Sequence, residues 1–279
     1  MSFQLSLRAS SRAALGLCVG LHVARRSNVV IAAPDSGKKS TLLLSTSFSS
    51  QLPSLPPHTR RLFLVRHGQT DWNMKGMMQG GGYDIPLNTI GKRQAARARD
   101  LLATVKLDVV ASSPLSRAKE TADIIASRHP SALRTVEDDF KEMRFGSFEG
   151  LVVKGSTVEK SVSDAFNEVR RKQAVDPTYS WPTTGQNSGT AVGESPHTVR
   201  MRATAALEKL MASCSEDTKH LCVVAHGRLN RILLGALFHV DDSTIDQGNT
   251  CINVVDFDEA TGDFKAILIN YEGHMIDLE

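Results

Sequence analysis

Cysteine is scarce in this chain, with four residues among 279. Cys18, Cys214, Cys222 and Cys251 form no Cys-x-x-Cys pair and none of the spacings typical of zinc sites. The pattern therefore indicates neither a disulfide framework nor a cysteine-based zinc site. We expect no bound metal and no other cofactor.

Long apolar runs are also missing. The apolar stretch near the N-terminus, residues 13–24, is too short to span a bilayer, which takes about 20 residues. With 41% hydrophobic and 23% charged residues, the composition is that of an ordinary globular protein. We expect no membrane partner, and the sequence leaves open whether the chain forms a homo-oligomer.

Acidic residues are almost absent from residues 1–60, where Asp35 is the only one. The segment is rich in Ser, Arg and Ala, a bias typical of organelle transit peptides. We predict that residues 1–60 are a targeting leader and linker, disordered or cleaved, with a plastid or mitochondrion as destination. The apolar residues 13–24 leave secretion as an alternative, and a plain tail on a cytoplasmic protein is the third reading. The basic residues of the segment are Arg8, Arg12, Arg25, Arg26, Lys38, Lys39 and Arg60.

The net charge changes sign when this segment is set aside. It holds seven of the 33 basic residues and one of the 30 acidic residues, which leaves 26 and 29 in residues 61–279. The net charge of that part is −3, against +3 for the whole chain. The excess of basic residues thus lies in the predicted leader, and we expect no nucleic-acid partner.

What the chain does contain is a repeated unit of strand, polar tip and helix. Three short apolar runs predict buried strands, and each ends in polar or turn residues. The runs are residues 62–65, 107–111 and 221–225, and the tips are Arg66-His67-Gly68, Ser112-Ser113-Pro114 and His226-Gly227-Arg228. Ligands bind outside the carboxyl ends of strands in an open parallel sheet. One fold rule therefore brings Arg66, His67, Arg117 and His226 to one crevice.

Helical spacing follows two of these tips. Ser113 and Pro114 are residue types that begin helices, which would place Arg117 in a first turn that favours anions. Two further strands, at residues 252–257 and 264–269, read as a hairpin. The predicted fold class is α/β, a three-layer α/β/α sandwich with a mostly parallel sheet and an antiparallel edge.

The first tip, Arg66-His67-Gly68, contains the residue types that a catalytic or anion-binding site needs. Arg66 would be an expensive buried cation unless an anion meets it. Gly68 lets a ligand approach the backbone closely, and His67 between them is a candidate nucleophile or proton carrier. A phosphoryl group would satisfy all three residues at once.

From residue 62 to the C-terminus, six motifs in order resemble the histidine phosphatase superfamily, the phosphoglycerate-mutase-like enzymes of branch 1. The motifs are Leu64-Val65-Arg66-His67-Gly68-Gln69-Thr70-Asp71-Trp72-Asn73, Asp84-Ile85-Pro86-Leu87-Asn88, Ser112-Ser113-Pro114-Leu115-Ser116-Arg117-Ala118, Glu142-Met143-Arg144-Phe145-Gly146, Gly193-Glu194-Ser195 and Val223-Val224-Ala225-His226-Gly227. The resemblance implies a single domain of this kind over residues 61–279. It also implies a metal-independent reaction on a small phosphorylated metabolite.

Site roles follow from the resemblance residue by residue. His67 matches the nucleophile that becomes a phosphohistidine, and Glu142 matches the acid that protonates the leaving group. Arg66, Arg117 and His226 match the phosphate pocket, helped by Asn73, and Thr70 and Gly227 match positions near the substrate. These roles agree with the chemistry. A phosphate monoester dianion repels anionic nucleophiles, so a neutral imidazole is a suitable nucleophile, and arginines can stabilise the charge on the equatorial phosphoryl oxygens without a metal.

Three functions stay open at this point. A phosphatase is favoured over a mutase, because Met78-Gln79-Gly80 stands where the mutases tend to carry Phe-Thr-Gly-Trp. A non-catalytic phosphate-binding protein is the third reading, which the complete residue set disfavours. Residues 151–193 interrupt the strand–helix rhythm, and we predict a cap insertion there with a helix over 158–173. The glycines of residues 80–82 predict a flexible loop before Asp84.

Overall fold

The computed structural model describes residues 47–156, 158–183 and 192–275. Most of the predicted leader, residues 1–46, lies outside the described residues, as does part of the predicted cap insertion, residues 184–191. Among the described helices, none is long and apolar enough to cross a membrane.

Six strands of the described chain form one sheet. They are β1 (Thr59–Arg66), β2 (Val109–Ser112), β3 (Leu133–Val136), β4 (His220–Ala225), β5 (Ile252–Asp258) and β6 (Phe264–Tyr271). The spatial order is β3-β2-β4-β1-β5-β6. The first four of these are parallel neighbours, whereas β5 and β6 are antiparallel. The predicted sheet is confirmed, with β3 added at one edge.

Helices pack on both faces of this sheet. They are α1 (Phe48–Gln51), α2 (Asp71–Met74), α3 (Thr89–Leu102), α4 (Ser116–Ala126), α5 (Lys160–Val175), α6 (Pro196–Ala212) and α7 (Gly227–Phe238). Successive side chains of a strand point to opposite faces, so Leu62 and Leu64 pack with α6 and α7, and Phe63 and Val65 with α3 and α4. Two apolar cores therefore enclose the sheet, and the three-layer sandwich is confirmed.

The folded domain begins before the predicted boundary at residue 61. Phe48 is 2% exposed, and its ring centroid lies 5.3 Å from that of Tyr271. Thr59 and Arg60 are buried at the start of β1. The segment of residues 47–60 is therefore anchored at both ends, through Phe48 and Leu52 and through Thr59 and Arg60, rather than forming a free linker.

The start of α4 differs from the prediction. Ser113 and Pro114 precede the helix, and the N-cap position is Leu115, which makes no side-chain capping bond. Instead the carboxylate of Asp84 accepts hydrogen bonds from the N–H and the hydroxyl of Ser116, at 2.7 and 2.8 Å. A distant loop supplies the cap that the local sequence was expected to supply.

Candidate active site

The strand tips meet as the parallel sheet requires. β1 and β4 run in register, with Arg66 beside Ala225, so the two tips end side by side. The ring centroids of His67 and His226 are 5.2 Å apart. Arg117, in the first turn of α4, is close enough to both rings to influence their protonation. The structure therefore brings together the four residues predicted to share a crevice.

His67 has a defined tautomer. Its Nδ1 lies 2.7 Å from the carbonyl oxygen of Gly68, which can only accept a hydrogen bond. Nδ1 therefore carries the proton, and the lone pair is on Nε2. Gly68 has no room for a side chain, since a Cβ there would overlap the carbonyl of Gly91. The tight turn after β1 thus fixes the orientation of the imidazole.

Both histidines are held in the neutral form. Burial lowers the pKa of His67 well below its ordinary value, and the charges of Arg117 and Arg66 lower it further. Burial is also the main cause of the strongly lowered pKa of His226, with Arg117 next. A neutral imidazole with its lone pair on Nε2 is a nucleophile at neutral pH.

Arg66 is held from behind by a buried amide pair. Its Nη1 donates to the carbonyl of Gln247 at 2.8 Å. The side chains of Gln247 and Asn253 donate to each other at 2.9 and 3.0 Å, and Asn253 also donates to the carbonyl of Leu64. A Cβ on Gly227 would lie 3.2 Å from Nε of Arg66, so the absence of a side chain there leaves space for the guanidinium.

Arg117 is fully buried and bound to the loop that precedes Asp84. It donates to the carbonyls of Tyr83 and Gly80 at 3.0 and 3.1 Å. In the amide orientation that satisfies both its ends, Gln79 accepts from Nε and Nη1 of Arg117 and donates to the hydroxyl of Thr70. Burial lowers the pKa of Arg117 to about 10, which keeps it charged at neutral pH.

The same loop is packed rather than open, in contrast to its predicted flexibility. A Cβ on Gly80 or Gly82 would overlap the carboxylate of Glu149, which accepts hydrogen bonds from the N–H groups of Phe145 and Gly82. Gly80 and Gly82 lack a side chain where the carboxylate of Glu149 lies against the backbone. Glu149 thereby orders the loop.

Glu142 rests on the N-terminus of α7. Its Oε1 accepts from the N–H groups of Met143 and Leu229 at 2.8 and 3.0 Å, and its Oε2 from the N–H of Arg228 at 3.0 Å. The residue is 6% exposed. Three backbone donors therefore fix the carboxyl group beside the tip of β4.

Thr70 and Asn73 form a capping box on α2. The Thr70 hydroxyl accepts from the N–H of Asn73, and the Asn73 side-chain oxygen accepts from the N–H of Thr70, both at 3.2 Å. Asn249 donates to the carbonyl of His67 at 3.1 Å and lies 3.3 Å from the Asn73 oxygen. Thr70 thus makes its hydrogen bonds with Asn73 and Gln79, and those with Asn73 orient its side chain.

A cavity of about 1420 Å³ opens over this centre. Of the predicted residues, those that line it are Arg66, His67, Asn73, Glu142 and Gly227. Arg117, His226 and Thr70 are fully buried behind it. The predicted cap insertion forms part of the wall through α5, with Phe166 and Trp181 among the lining residues.

Sequence reasoning missed several residues of the site. Four amide side chains support the arginines and His67, namely Gln79, Gln247, Asn249 and Asn253. The cavity is also lined by six further cations, which are Lys154, Arg170, Arg171, Arg200, Arg228 and Arg231. The one available signal was a polar residue, Asn253, inside the apolar run of β5. In the described chain, no group of three or more His, Cys, Asp or Glu side chains is arranged to hold a metal ion.

Comparison with known families agrees with this geometry. Residues 62–270 match the histidine phosphatase superfamily (branch 1), and the chain belongs to that superfamily. A solved relative, the mycobacterial glucosyl-3-phosphoglycerate phosphatase in complex with VO3, superposes with a TM-score of 0.62 at 26% identity. The match covers 76% of this chain and all of that one.

Curated relatives include both phosphatases and mutases. The probable 2-carboxy-D-arabinitol-1-phosphatase of Arabidopsis thaliana is 28% identical over 240 residues, 85% of this chain and 44% of that protein. The uncharacterized phosphatase PhoE of Bacillus subtilis is 45% identical over 95 residues, 34% of this chain and 48% of that one. Phosphoglycerate mutase 1 of Saccharomyces cerevisiae is 36% identical over 121 residues, covering 42% and 48%. The matches span less than half the length of each of these three relatives.

Proposed function

We propose that this protein is a metal-independent phosphatase that hydrolyses a small phosphorylated metabolite through a phosphohistidine at His67. The observation that carries the proposal is the neutral imidazole of His67. Its proton is on Nδ1, its Nε2 is free, and Arg66 and Arg117 stand beside it. This is the set of groups that a phosphoryl transfer requires.

The first step transfers the phosphoryl group to the enzyme. The Nε2 lone pair of His67 forms a bond to phosphorus while the bond from phosphorus to the leaving oxygen breaks. The carboxyl group of Glu142 gives its proton to that oxygen. The arginines and His226 stabilise the charge on the equatorial oxygens, and the Gly68 carbonyl stabilises the imidazolium that results.

The second step restores the enzyme. The Glu142 carboxylate takes a proton from a water molecule, whose oxygen attacks phosphorus. The bond between phosphorus and Nε2 breaks, and inorganic phosphate leaves. The relatives named above support small sugar and sugar-acid phosphates as the substrate class.

A phosphoglycerate mutase is the second candidate, because such mutases are among the relatives. The two reactions share the phosphohistidine and differ in its acceptor. Water accepts the phosphoryl group in the phosphatase, whereas a substrate hydroxyl accepts it in the mutase.

The test is an assay of the full chain against a panel of phosphorylated metabolites in the presence of a chelator. Released phosphate and interconverted phosphoesters are both measured, and His67→Ala is the control. We expect release of phosphate that the control loses while it remains folded by circular dichroism.

Other outcomes are equally informative. Interconversion without free phosphate would identify a mutase, and no reaction in either channel would favour a non-catalytic phosphate-binding protein. Substantial activity in His67→Ala, or a strict requirement for a divalent cation, would contradict the proposed mechanism.

A further inference from the structure

Arg202, in the middle of α6, uses all of its hydrogen-bond donors inside the protein. Nη1 donates to the carbonyls of Asp139 and Lys141, both at 2.7 Å, and Nη2 to the carbonyl of Glu142 at 3.3 Å. Nε and Nη2 donate to the two carboxylate oxygens of Glu194 at 2.9 and 3.0 Å. One guanidinium thus binds three carbonyls of the segment that carries Glu142.

Glu194 completes the arrangement from the other side. Its Oε2 also accepts from the N–H of Arg144 at 2.9 Å, and its own N–H donates to the carbonyl of Arg144 at 2.9 Å. The side chains of Glu194 and Arg202 are each 16% exposed. The ion pair therefore holds the backbone on both sides of Glu142 in a setting that is mostly shielded from water.

This places Glu142 between two helices. Its main chain is bound to α6 through Arg202, and its carboxyl group is bound to the N–H groups of Arg228 and Leu229 in α7. Arg202 is also near enough to contribute to the lowered pKa of His226. Loss of the guanidinium would leave three carbonyls without their donor and release one of the two attachments of Glu142.

We propose that Arg202, paired with Glu194, is a positioning residue that holds the segment of residues 139–144 so that the Glu142 carboxyl reaches the leaving oxygen. The inference rests on the proposed function, since it assigns Arg202 a role in leaving-group protonation. It predicts that variants of Arg202 lose more activity on substrates whose leaving group must be protonated than on substrates whose leaving group departs without a proton.

The experiment compares two substrates in Arg202→Ala. One is the best alkyl phosphate of the metabolite panel, whose alkoxide must be protonated as it leaves, and the other is p-nitrophenyl phosphate, whose phenolate leaves without a proton. We expect kcat/KM for the alkyl phosphate to fall about 10- to 100-fold, because general acid catalysis contributes a factor of about 100 to 10,000 and the variant should lose part of it. For p-nitrophenyl phosphate we expect kcat/KM to fall less than about threefold. Because kcat/KM reports the first transfer only, the hydrolysis of the phosphohistidine does not enter.

Three further variants frame the result. Glu142→Gln should show the same preferential loss on the alkyl phosphate, with a larger decrease in kcat/KM. Arg202→Lys keeps the positive charge but not the two-pronged guanidinium, so its decrease should be intermediate. Lys209→Ala is the matched control on the same helix, because it removes only a surface ion pair with Glu137, and it should equal the parent on both substrates.

An equal loss on both substrates, or no loss on either, would overturn the positioning role. If Arg202→Ala does not fold, Arg202→Lys carries the same comparison, which needs only an active fraction. Failure of the proposed function is seen separately, as a parent enzyme without phosphate release that depends on His67.

Discussion

At the scale of single residues, two neutral histidines with arginines beside them form the candidate reaction centre. His67 and His226 are 3% and 0% exposed. Burial is the main cause of their lowered pKa values, and Arg117 is the charge that contributes most at both, joined by Arg66 at His67. A cation beside a buried imidazole disfavours its protonation. The arginines proposed to bind a phosphate dianion therefore also keep the proposed nucleophile unprotonated, and the stability of the folded protein depends on pH through the same histidines.

This linkage predicts how stability varies with pH. In the unfolded chain both histidines titrate near the ordinary value, whereas in the folded protein their pKa lies well below it. As the pH falls below about 6.5, the two histidines bind protons in the unfolded chain but stay neutral in the folded protein. The free energy of unfolding should therefore fall by up to about 1.4 kcal/mol per pH unit for each histidine, and stay level above.

Urea unfolding of the parent and of His226→Asn at pH 7, 6 and 5 measures the effect. The variant should lose the contribution of one histidine, so its stability should depend less steeply on pH. His129, His220 and His274 also have lowered pKa values, but they are common to both proteins and cancel in the comparison. Parallel pH profiles for the two proteins would contradict the prediction.

The sequence indicated the candidate reacting residues but not the residues that hold them in place. Arg66 and His67 could be found because they end an apolar run, which is a local pattern. Gln247 binds Arg66 from 181 positions away. Arg202, in α6, binds the carbonyl of Glu142 from 60 positions away. Such partners depend on packing between distant segments, and no spacing in the sequence marks them.

At the scale of elements, the carboxyl ends of β1, β2 and β4 position the site through the segments that follow them. His67 follows β1 directly, and Glu142 is held by the first turn of α7, which begins after the tip of β4. Arg117 lies one residue into α4, whose start is fixed by Asp84. The cap of α4 thus lies next to one of the site's arginines.

Replacement of Asp84 should therefore weaken α4 at its N-terminus. Asp84→Ala removes the acceptor of two hydrogen bonds from Ser116, and we expect a loss of about 1 kcal/mol in the free energy of unfolding, within the range of N-cap substitutions. Urea denaturation measures it. Asp84→Asn retains an acceptor oxygen and should lose less, and a result in which Ala and Asn are equally stable would argue against the cap.

The elements were predictable to different degrees for physical reasons. The strands β1 and β4 have continuous apolar runs because both faces of the sheet are covered. Strand β3, at the edge, has exposed and half-buried side chains, so it lacks such a run and was not predicted. Helix α6 carries a local start signal, because the Ser195 side chain accepts from the N–H of Thr198 and Pro196 lies in the first turn. The start of α4 was misplaced because its cap comes from another segment.

At the scale of the whole molecule, the sheet supplies the reaction centre and the cap insertion supplies a wall of the cavity above it. The ring of Phe166 in α5 lies 5.7 Å from that of Phe148 and 5.1 Å from that of Trp181. These aromatic contacts attach α5 to the core. The interruption of the strand–helix rhythm predicted that an insertion exists, whereas the cations and aromatic rings on its inner side became visible only in three dimensions.

This arrangement predicts that the cap selects substrates without holding the phosphoryl group. Phe166→Ala should lower the free energy of unfolding by about 2 kcal/mol, since the ring is only half-buried. It should also change the ratio of kcat/KM between a large and a small phosphorylated metabolite by at least about threefold, the order of a kcal/mol of lost contact. Inhibition by inorganic phosphate should stay unchanged, because the groups proposed to bind phosphate lie at the strand tips.

Phe264→Ala is the matched control for this prediction. Phe264 is half-buried in β6, and its ring lies 4.7 Å from that of Phe257, away from the cavity. The control should lose comparable stability and keep the substrate ratio of the parent, which separates a general loss of stability from a change in the wall. If Phe166→Ala kept the parent's ratio as well, the cap would not select substrates through this residue. If inhibition by phosphate weakened together with the ratio, the cap and the reaction centre would form a single binding unit.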